Sequence, residues 1–293
     1  MAVETVRVAT HAMGTRFEFV LIGDDPVMLR AAGEEGVAIV EEAHRRLSRF
    51  ERGSVVAAIN TAGEEAGGGA VRVDDELFEF LTRCEGYRLA TDDAFRVVRG
   101  TPGGGGLRLD PASRRVAVGA GTTLDPGGVG KGFALDLVSS MLRGAGVERA
   151  FLHGGSSTMV AIGSPPGLDG WRVAMPGANG TGASGLVVLL RDLAMSVSTQ
   201  FGDRPGHVVD PRTGLPATGA AWSACLGAVA EETDAWSTAL VVLGLRPPAC
   251  PAVLTTVLPA DEEGSILPGR VTIEGPDSGV ITMIGGGVNG ERA

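Results

Sequence analysis

Apolar and polar residues alternate almost from the first residue. In TRFEFVLI, residues 15–22, Phe17, Phe19 and Leu21 interleave with Arg16, Glu18 and Val20; with VETVRVAT before it, the run predicts a pair of strands. The period then lengthens. Within DDPVMLRAAGEEGVAIVEEAHRRLSRFE, Val40, Ala43, Leu47 and Phe50 recur at helical spacing, so a long helix is expected, with Asp25 as N-cap and Pro26 in its first turn. Leu77, Leu81, Cys84 and Arg88 mark a second helix, and Ala134, Leu137, Val138 and Met141 a third.

Beyond residue 145 short apolar runs separated by Gly, Pro or Asn take over: RAFLHGG, TMVAIG, WRVAMP, LVVLLRD, AWSACLGAVA, AVLTTVL and GVITMIG, each read as a strand. One helix interrupts them, TDAWSTALVVLG, with Trp236, Ala239, Leu240 and Leu243 on one face, Thr233 as N-cap, and Gly244 then Pro247 as the stop. PGANGTGASG, residues 176–185, reads as a mobile surface loop rather than a linker, because strand-like runs flank it. Helices and strands mix without a regular βα alternation, which predicts an α+β fold.

The chain has 293 residues, 44% hydrophobic and 20% charged, enough for one large domain or two intimately joined ones. Its formal charge of −10 argues against nucleic acid as a partner, since phosphate backbones need clustered positive charge. An anionic small molecule is compatible with that balance where a few cations or a metal sit in its site. Three cysteines in no ligand-like spacing predict neither a disulfide framework nor a zinc site. No apolar stretch reaches the ~18 residues that span a bilayer, and the first residues lack a signal-peptide pattern, so a cytoplasmic location is expected.

Five stretches carry candidate chemistry. DPGGVGKGFALD, residues 125–136, puts four glycines and Lys131 directly before an amphipathic helix, which makes either an anion cradle or a tight strand-to-helix turn with an outward lysine. The spacing matches neither a P-loop nor a dinucleotide fingerprint. TDAWSTAL sets Asp234 and Thr238 one helical turn apart, either as two hard oxygen ligands for Mg²⁺ or with Asp234 as an ordinary capping and dipole-complementing acid of a first turn. In HVVDPRTGLPA, residues 207–217, His207 is either a general base oriented by a neighbouring carboxylate or a loop histidine bonded to Asp210. HAMGTRFEF offers Gly14 for close approach and Met13 as a polarizable surface, or simply a hairpin turn, while the hydroxyls of SVSTQF belong to a site or to a half-exposed strand face. Of the other histidines, His44 belongs to the polar side of the long helix, and His11 and His153 sit beside glycines in turns that could line a site.

Taken in order, MGT at 13–15, LSRFERGSVVAAIN, DPGGVGKGFALD, the GG turn at 154, SVST, HVVDPRTGLPA and TDAWSTALVVLG resemble the ApbE-like family of FAD:protein FMN transferases. The match runs from about residue 11 to residue 244, and HVVDPRTG and DAWSTALVVLG are its most diagnostic pieces. The resemblance implies a T-fold-like α+β architecture of mixed and antiparallel sheets packed with helices: a single domain over 1–293, or two packed α+β halves with the FAD site between them. It implies that FAD is split at its pyrophosphate, that FMN is joined through its phosphate to a Thr or Ser hydroxyl of an acceptor flavoprotein, and that AMP leaves.

By the same resemblance Asp234, Thr238 and the carbonyl of Gly128 hold Mg²⁺, Lys131 adds positive charge, and His207 is the base. Met13, Phe50, Asp125 and Val208, with the run Ala94, Phe95, Arg96, match FAD-contacting positions. Departures are visible as well. The family usually has Asp then Pro-Thr after that Phe, where this chain reads FRVVRG; Asp follows the glycine pair where this chain has HGGSST; and Gln200 stands where Ser-Gly is usual. The family's N-terminal lipid-anchor cysteine is absent. Two other readings use the same site: hydrolysis of FAD to FMN and AMP, and binding or delivery of FAD without cleavage.

Overall fold

The computed structural model describes residues 3–65, 68–100, 105–176, 183–200, 207–250 and 254–258. Strands β1 (Glu4–Ala12) and β2 (Thr15–Gly23) form the expected antiparallel pair, turning at Met13 and Gly14. Asp25 accepts hydrogen bonds from the Val27 and Met28 N–H groups and Pro26 opens the first turn, so α1 (Pro26–Leu47) begins where anticipated. It ends sooner. Ser48 leaves the helical conformation, and Phe50, expected to extend the apolar stripe, is 79% exposed.

A second helix that periodicity does not predict, α2 (Val55–Glu64), is capped by the Ser54 hydroxyl, which accepts from Ala57 N–H. Next come β3 (Val71–Arg72), the expected helix as α3 (Asp75–Ala90), and four short strands: β4 (Val98–Gly100), β5 (Leu107–Asp110), β6 (Arg115–Val118) and β7 (Thr122–Leu124). These form a small β3-β6-β5 sheet and a separate β4-β7 pair. A 3-10 turn over Pro126–Gly128 leads into α4 (Gly130–Gly144), the third expected helix.

The remaining elements are β8 (Ala150–Gly154), β9 (Thr158–Ile162), β10 (Trp171–Pro176), β11 (Ala183–Leu190), β12 (Ala194–Thr199), β13 (Trp222–Gly227), α5 (Ala230–Leu243) and β14 (Leu254–Leu258). Six of the seven expected strands appear among them, and GVITMIG lies outside the described residues. So does 177–182, the middle of the expected loop; the strands on either side of it, β10 and β11, pair antiparallel. Seven strands make one antiparallel sheet in the order β1-β2-β8-β9-β12-β13-β14. This is an α+β fold.

Alternation places the two faces of the large sheet. Phe17, Phe19, Leu152 and Val160 face α1 and α4, while Met159, Met195, Trp222 and Leu226 face β10–β11. Helix α5 is buried on nearly all sides, because β12 and β13 pack on one flank and α3 and α4 on others. From α3, Arg83 reaches the buried Glu231 with two bonds of 2.9 and 2.8 Å. No helix among the described residues is long and apolar enough to cross a membrane, and Cys84, Cys225 and Cys250 are buried and unbridged.

Thr233 is not the N-cap of α5. The helix begins at Ala230, with Val229 in the cap position and no side chain of its own to serve there. Asp136 of α4 supplies the acceptor instead: its carboxylate takes the Ala230 and Glu231 N–H groups at 2.9 and 2.8 Å. Thr233 sits one turn in, where its hydroxyl bonds Ala230 O and Ser196.

The first turns of α4 and α5 touch, and Gly132 makes that approach feasible. A Cβ at this position would lie 2.3 Å from Ala230 O. Gly132→Ala is therefore expected to push the two helices apart and cost about 2 kcal/mol or more, measured by urea unfolding; a variant as stable as the parent would contradict the close approach. A second expectation concerns pH. Burial pushes the Asp136 carboxyl up to about 6, against the two backbone N–H groups that favour its charge. A carboxyl whose folded pKa lies above its unfolded value of ~3.9 contributes stability fully below that value and loses it as pH rises through the folded pKa. The stability advantage of the parent over Asp136→Asn should thus be greatest near pH 4 and shrink by pH 7; an advantage that grows over this range would contradict the account.

Candidate functional site

A cleft of about 430 Å³ opens where the N-termini of α4 and α5 meet. At its floor lies Asp234, in the second turn of α5 rather than the first, so capping of its own helix does not explain it. Its buried carboxylate points out of α5: Oδ2 accepts Gly132 N–H at 3.1 Å, Oδ1 accepts the Thr158 hydroxyl at 3.2 Å, and Lys131 Nζ lies 3.5 Å from Oδ2. Burial pushes the carboxyl pKa up, and the Lys131 charge with these hydrogen bonds opposes that. Lys131 is thus not a solvent-facing lysine; its side chain is mostly buried beside the acid.

One turn along, the Thr238 hydroxyl bonds Asp234 O at 3.2 Å and lies 3.3 Å from Ser198 Oγ. Gly128, in the 3-10 turn, approaches the same hydroxyl: a Cβ there would be 3.8 Å from Thr238 Oγ1. Asp125 holds that turn, accepting Gly127 N–H at 3.1 Å, and is itself gripped by Arg49 and Arg99, whose Nε atoms lie 3.2 and 2.9 Å from Oδ2. Gly128, Lys131, Asp234 and Thr238 therefore line one cavity, and Asp125 lines its edge.

Ala94, Phe95 and Arg96 form one wall, and the segment from His207 to Gly214 forms another with His207 and Val208. His207 is exposed at the mouth, whereas Val208 is buried and pins the segment beneath it. The carboxylate expected to orient His207 is engaged elsewhere. Asp210 takes Arg212 through both oxygens at 2.9 Å, and that pairing, against some burial, holds the acid below the usual range.

Two expected positions lie outside the lining. Met13 sits at the β1–β2 turn with φ +51°, partly buried, its N–H donating to His44 Nδ1 at 3.3 Å. Its sulfur would be 3.7 Å from a Cβ on Gly130, beside the start of α4. Phe50 lies on the surface with the Arg49 guanidinium 4.2 Å above its ring, linked through Arg49 to Asp125. His11 is exposed on β1, and His153 Nδ1 lies 3.0 Å from Gly155 O; neither lines the cleft.

Of the SVST hydroxyls, Ser198 and Thr199 line the cleft, and Ser196 and Ser198 meet α5. Ser196 meets Thr233 at 2.9 Å and Ser198 meets Ser237 at 2.8 Å, so the strand supports α5 from beneath. Arg99 and Thr158 escape sequence reasoning, because a lone arginine or threonine in a short run carries no pattern. Gln200, visible only as a departure, donates its amide to Val208 O at 3.0 Å and Ala217 O at 2.7 Å and so braces both ends of the His207 segment. The assembled donors are oxygens, an ammonium and guanidinium groups around a concave space, with a titratable imidazole at the entrance. Such a set suits an anionic, phosphate-bearing ligand.

The chain is 35% identical over 128 residues to an FAD:protein FMN transferase of Rhodobacter capsulatus, a match covering 41% of this chain and 24% of the relative. It is 28% identical over 270 residues to a Treponema pallidum protein of the same name, covering 74% and 72%. A third such protein, from Buchnera aphidicola, is matched over 37% of its length, so two of these three relatives are spanned by well under half. An ApbE protein of Thermotoga maritima superimposes with a TM-score of 0.76 over 90% of this chain and 96% of that one, at 22% identity. The flavin transferase ApbE of Vibrio cholerae gives 0.75 at 17% identity, over 91% and 96%. The sequence model of the ApbE family matches residues 13–103 and 102–250, and the chain belongs to that family.

Proposed function

We propose that this chain is a magnesium-dependent transferase that moves FMN from FAD to a Thr or Ser hydroxyl of an acceptor protein, releasing AMP. One observation carries the reading: segments 125–131, 207–208 and 234–238, far apart in sequence, line a single cleft. The names of the relatives point the same way.

In this reading the cleft takes the FAD diphosphate against the 125–131 turn. The acceptor oxygen forms a bond to the phosphorus of the FMN half while the bond between that phosphorus and the bridging oxygen breaks, and the oxygen departs with AMP. His207 accepts the hydroxyl proton. Its place at the mouth suits this task, because a side chain on a macromolecule can reach it without entering the cavity. Lys131 keeps a positive charge beside Asp234 and the substrate oxygens. Phe50 leaves one ring face for a flavin, since Arg49 covers the other, and Met13 borders α4 nearby.

The donor chemistry fits Mg²⁺. Asp234, Thr238 and the Gly128 carbonyl are hard oxygens, and these are the residues that would hold it. Among the described residues no cluster of three His, Cys, Asp or Glu could bind a metal alone, so substrate oxygens would complete the coordination. When bound, the ion neutralises charge on the diphosphate and the leaving phosphate. We assign the site to one domain, with the cleft between its helical junction and the smaller β4–β7 half.

The test is incubation with FAD and Mg²⁺, with and without an acceptor peptide, following AMP release and fluorescent product on a denaturing gel. Labelled acceptor with stoichiometric AMP is expected. AMP without label would make the chain a hydrolase, and tight FAD without AMP a carrier. Asp234→Asn, which keeps the bond to Gly132 N–H but removes the charge, is expected to abolish turnover. His207→Ala should slow it by about 10²–10⁴ while leaving FAD affinity largely intact; a normal rate in that variant would remove the base assignment.

A further inference from the structure

Arg96 stands where the family usually has an acid, and its surroundings are built around it. The preceding turn holds two successive residues in the left-handed region, Asp92 at φ +48° and Asp93 at φ +62°. Non-glycine residues adopt that conformation at a cost and keep it only where the surroundings enforce it, a pattern that concentrates at ligand sites. Here the enforcement is explicit. Asp93 N–H bonds Arg88 O at 2.9 Å, Ala94 N–H bonds Thr91 O at 3.1 Å, and the buried Thr91 hydroxyl accepts Phe95 N–H at 3.1 Å.

The strained turn delivers the Asp93 carboxylate to two arginines. Its Oδ1 accepts Arg96 Nε at 2.9 Å and Arg88 Nη1 at 2.6 Å. Arg88 is further engaged by Glu85 at 2.7 Å, so its charge is balanced twice. Arg96 is pinned at Nε alone, and its two terminal nitrogens have no partner among the described residues. The side chain divides the cleft from a second cavity of about 340 Å³, whose charged walls, Glu85 and Arg88, already pair with each other. Arg96 lines both cavities, and with the charged neighbours in the second already paired, the main cleft is where its terminal donors can meet a ligand. Arg99 repeats the arrangement on the same wall, its Nε 2.9 Å from the carboxylate of Asp125. In a chain of formal charge −10, this cleft is lined by three cations and only two carboxylates.

We propose that Arg96, set in place by Asp93, is a phosphate anchor of the cleft that recognises the phosphate of a nucleotide through its terminal N–H groups, with Arg99 as its neighbour. A guanidinium held at Nε presents its remaining donors in a fixed plane, the geometry that matches phosphate oxygens. Asp93 is a positioning residue. The inference deepens the reading of the cleft as a flavin dinucleotide site and rests on it.

Equilibrium binding tests it without turnover. Dissociation constants of AMP, adenosine, FMN and riboflavin are measured by calorimetry for the parent, Arg96→Gln, Arg96→Lys and Asp93→Asn, after thermal melts confirm folding. In the parent, AMP or FMN is expected to bind at least about tenfold tighter than its phosphate-free counterpart, the size of a charge-assisted contact. Arg96→Gln should reduce that ratio to within about twofold, leaving adenosine and riboflavin unchanged, while Arg96→Lys and Asp93→Asn fall between. Which pair responds identifies the phosphate. A ratio that survives in Arg96→Gln, a parent with no phosphate preference, or parallel loss for both members of a pair would each overturn the proposal. FAD binding by the parent separates the two claims: if FAD binds and the ratio survives, only the anchor falls, whereas a parent that binds no FAD removes the flavin reading itself.

Discussion

Two helices cap each other. The first turn of α5 donates to Asp136 of α4, and the first turn of α4 donates, through Gly132, to Asp234 of α5. Neither helix has a side-chain cap of its own. Helix N-termini leave unsatisfied N–H groups and a partial positive charge, so bringing two together is stable only where carboxylates are supplied between them. The exchange supplies both. It also fixes what each neighbour must be: a glycine at 132, because the backbones nearly touch, and a buried acid at 234, because only a carboxylate can serve α4 and still meet Thr158 and Lys131.

The cleft follows from that junction. With Asp234 committed to the floor, Lys131, Thr238 and the Gly128 turn come within reach of it, and β12 supports α5 from below with Ser196 and Ser198. The walls arrive from elsewhere and are held by different means. The 91–96 turn is locked by its own hydrogen bonds, and the His207 segment is tied through Gln200 to the end of β12. A rigid floor with separately anchored walls suits a reaction whose catalysis is mainly positioning and charge, as phosphoryl transfer is. Each positive group near the cleft is matched to a carboxylate that fixes its direction: Lys131 to Asp234, Arg96 to Asp93, Arg99 to Asp125.

Much of this is legible in the sequence. The α1 start was legible because Asp25 and Pro26 are local signals, and the α5 stop because Gly244 at φ +71° needs no tertiary context. The start of α5 was not, since its cap comes from Asp136, ninety-four residues away. The strands β3 to β7 are two to four residues long and offer no period to detect. The residues expected to share a cavity from Gly128 to Thr238 do so, as do Ala94, Phe95 and Arg96, because the ordered motifs carried information that no single spacing held. Met13 and Phe50 fall outside that lining, and Asp210, expected beside His207, pairs through both oxygens with Arg212, two residues along the same segment.

The most direct test of the account is a structure of this protein with FAD and Mg²⁺ bound. The account requires the diphosphate to lie between the 125–132 turn and Asp234, with the cation touching Asp234 and Thr238 and His207 facing the phosphorus of the FMN half. A diphosphate bound away from Asp234, or a cation that ignores it, would contradict the central claim that the exchange of caps between α4 and α5 creates the reactive floor.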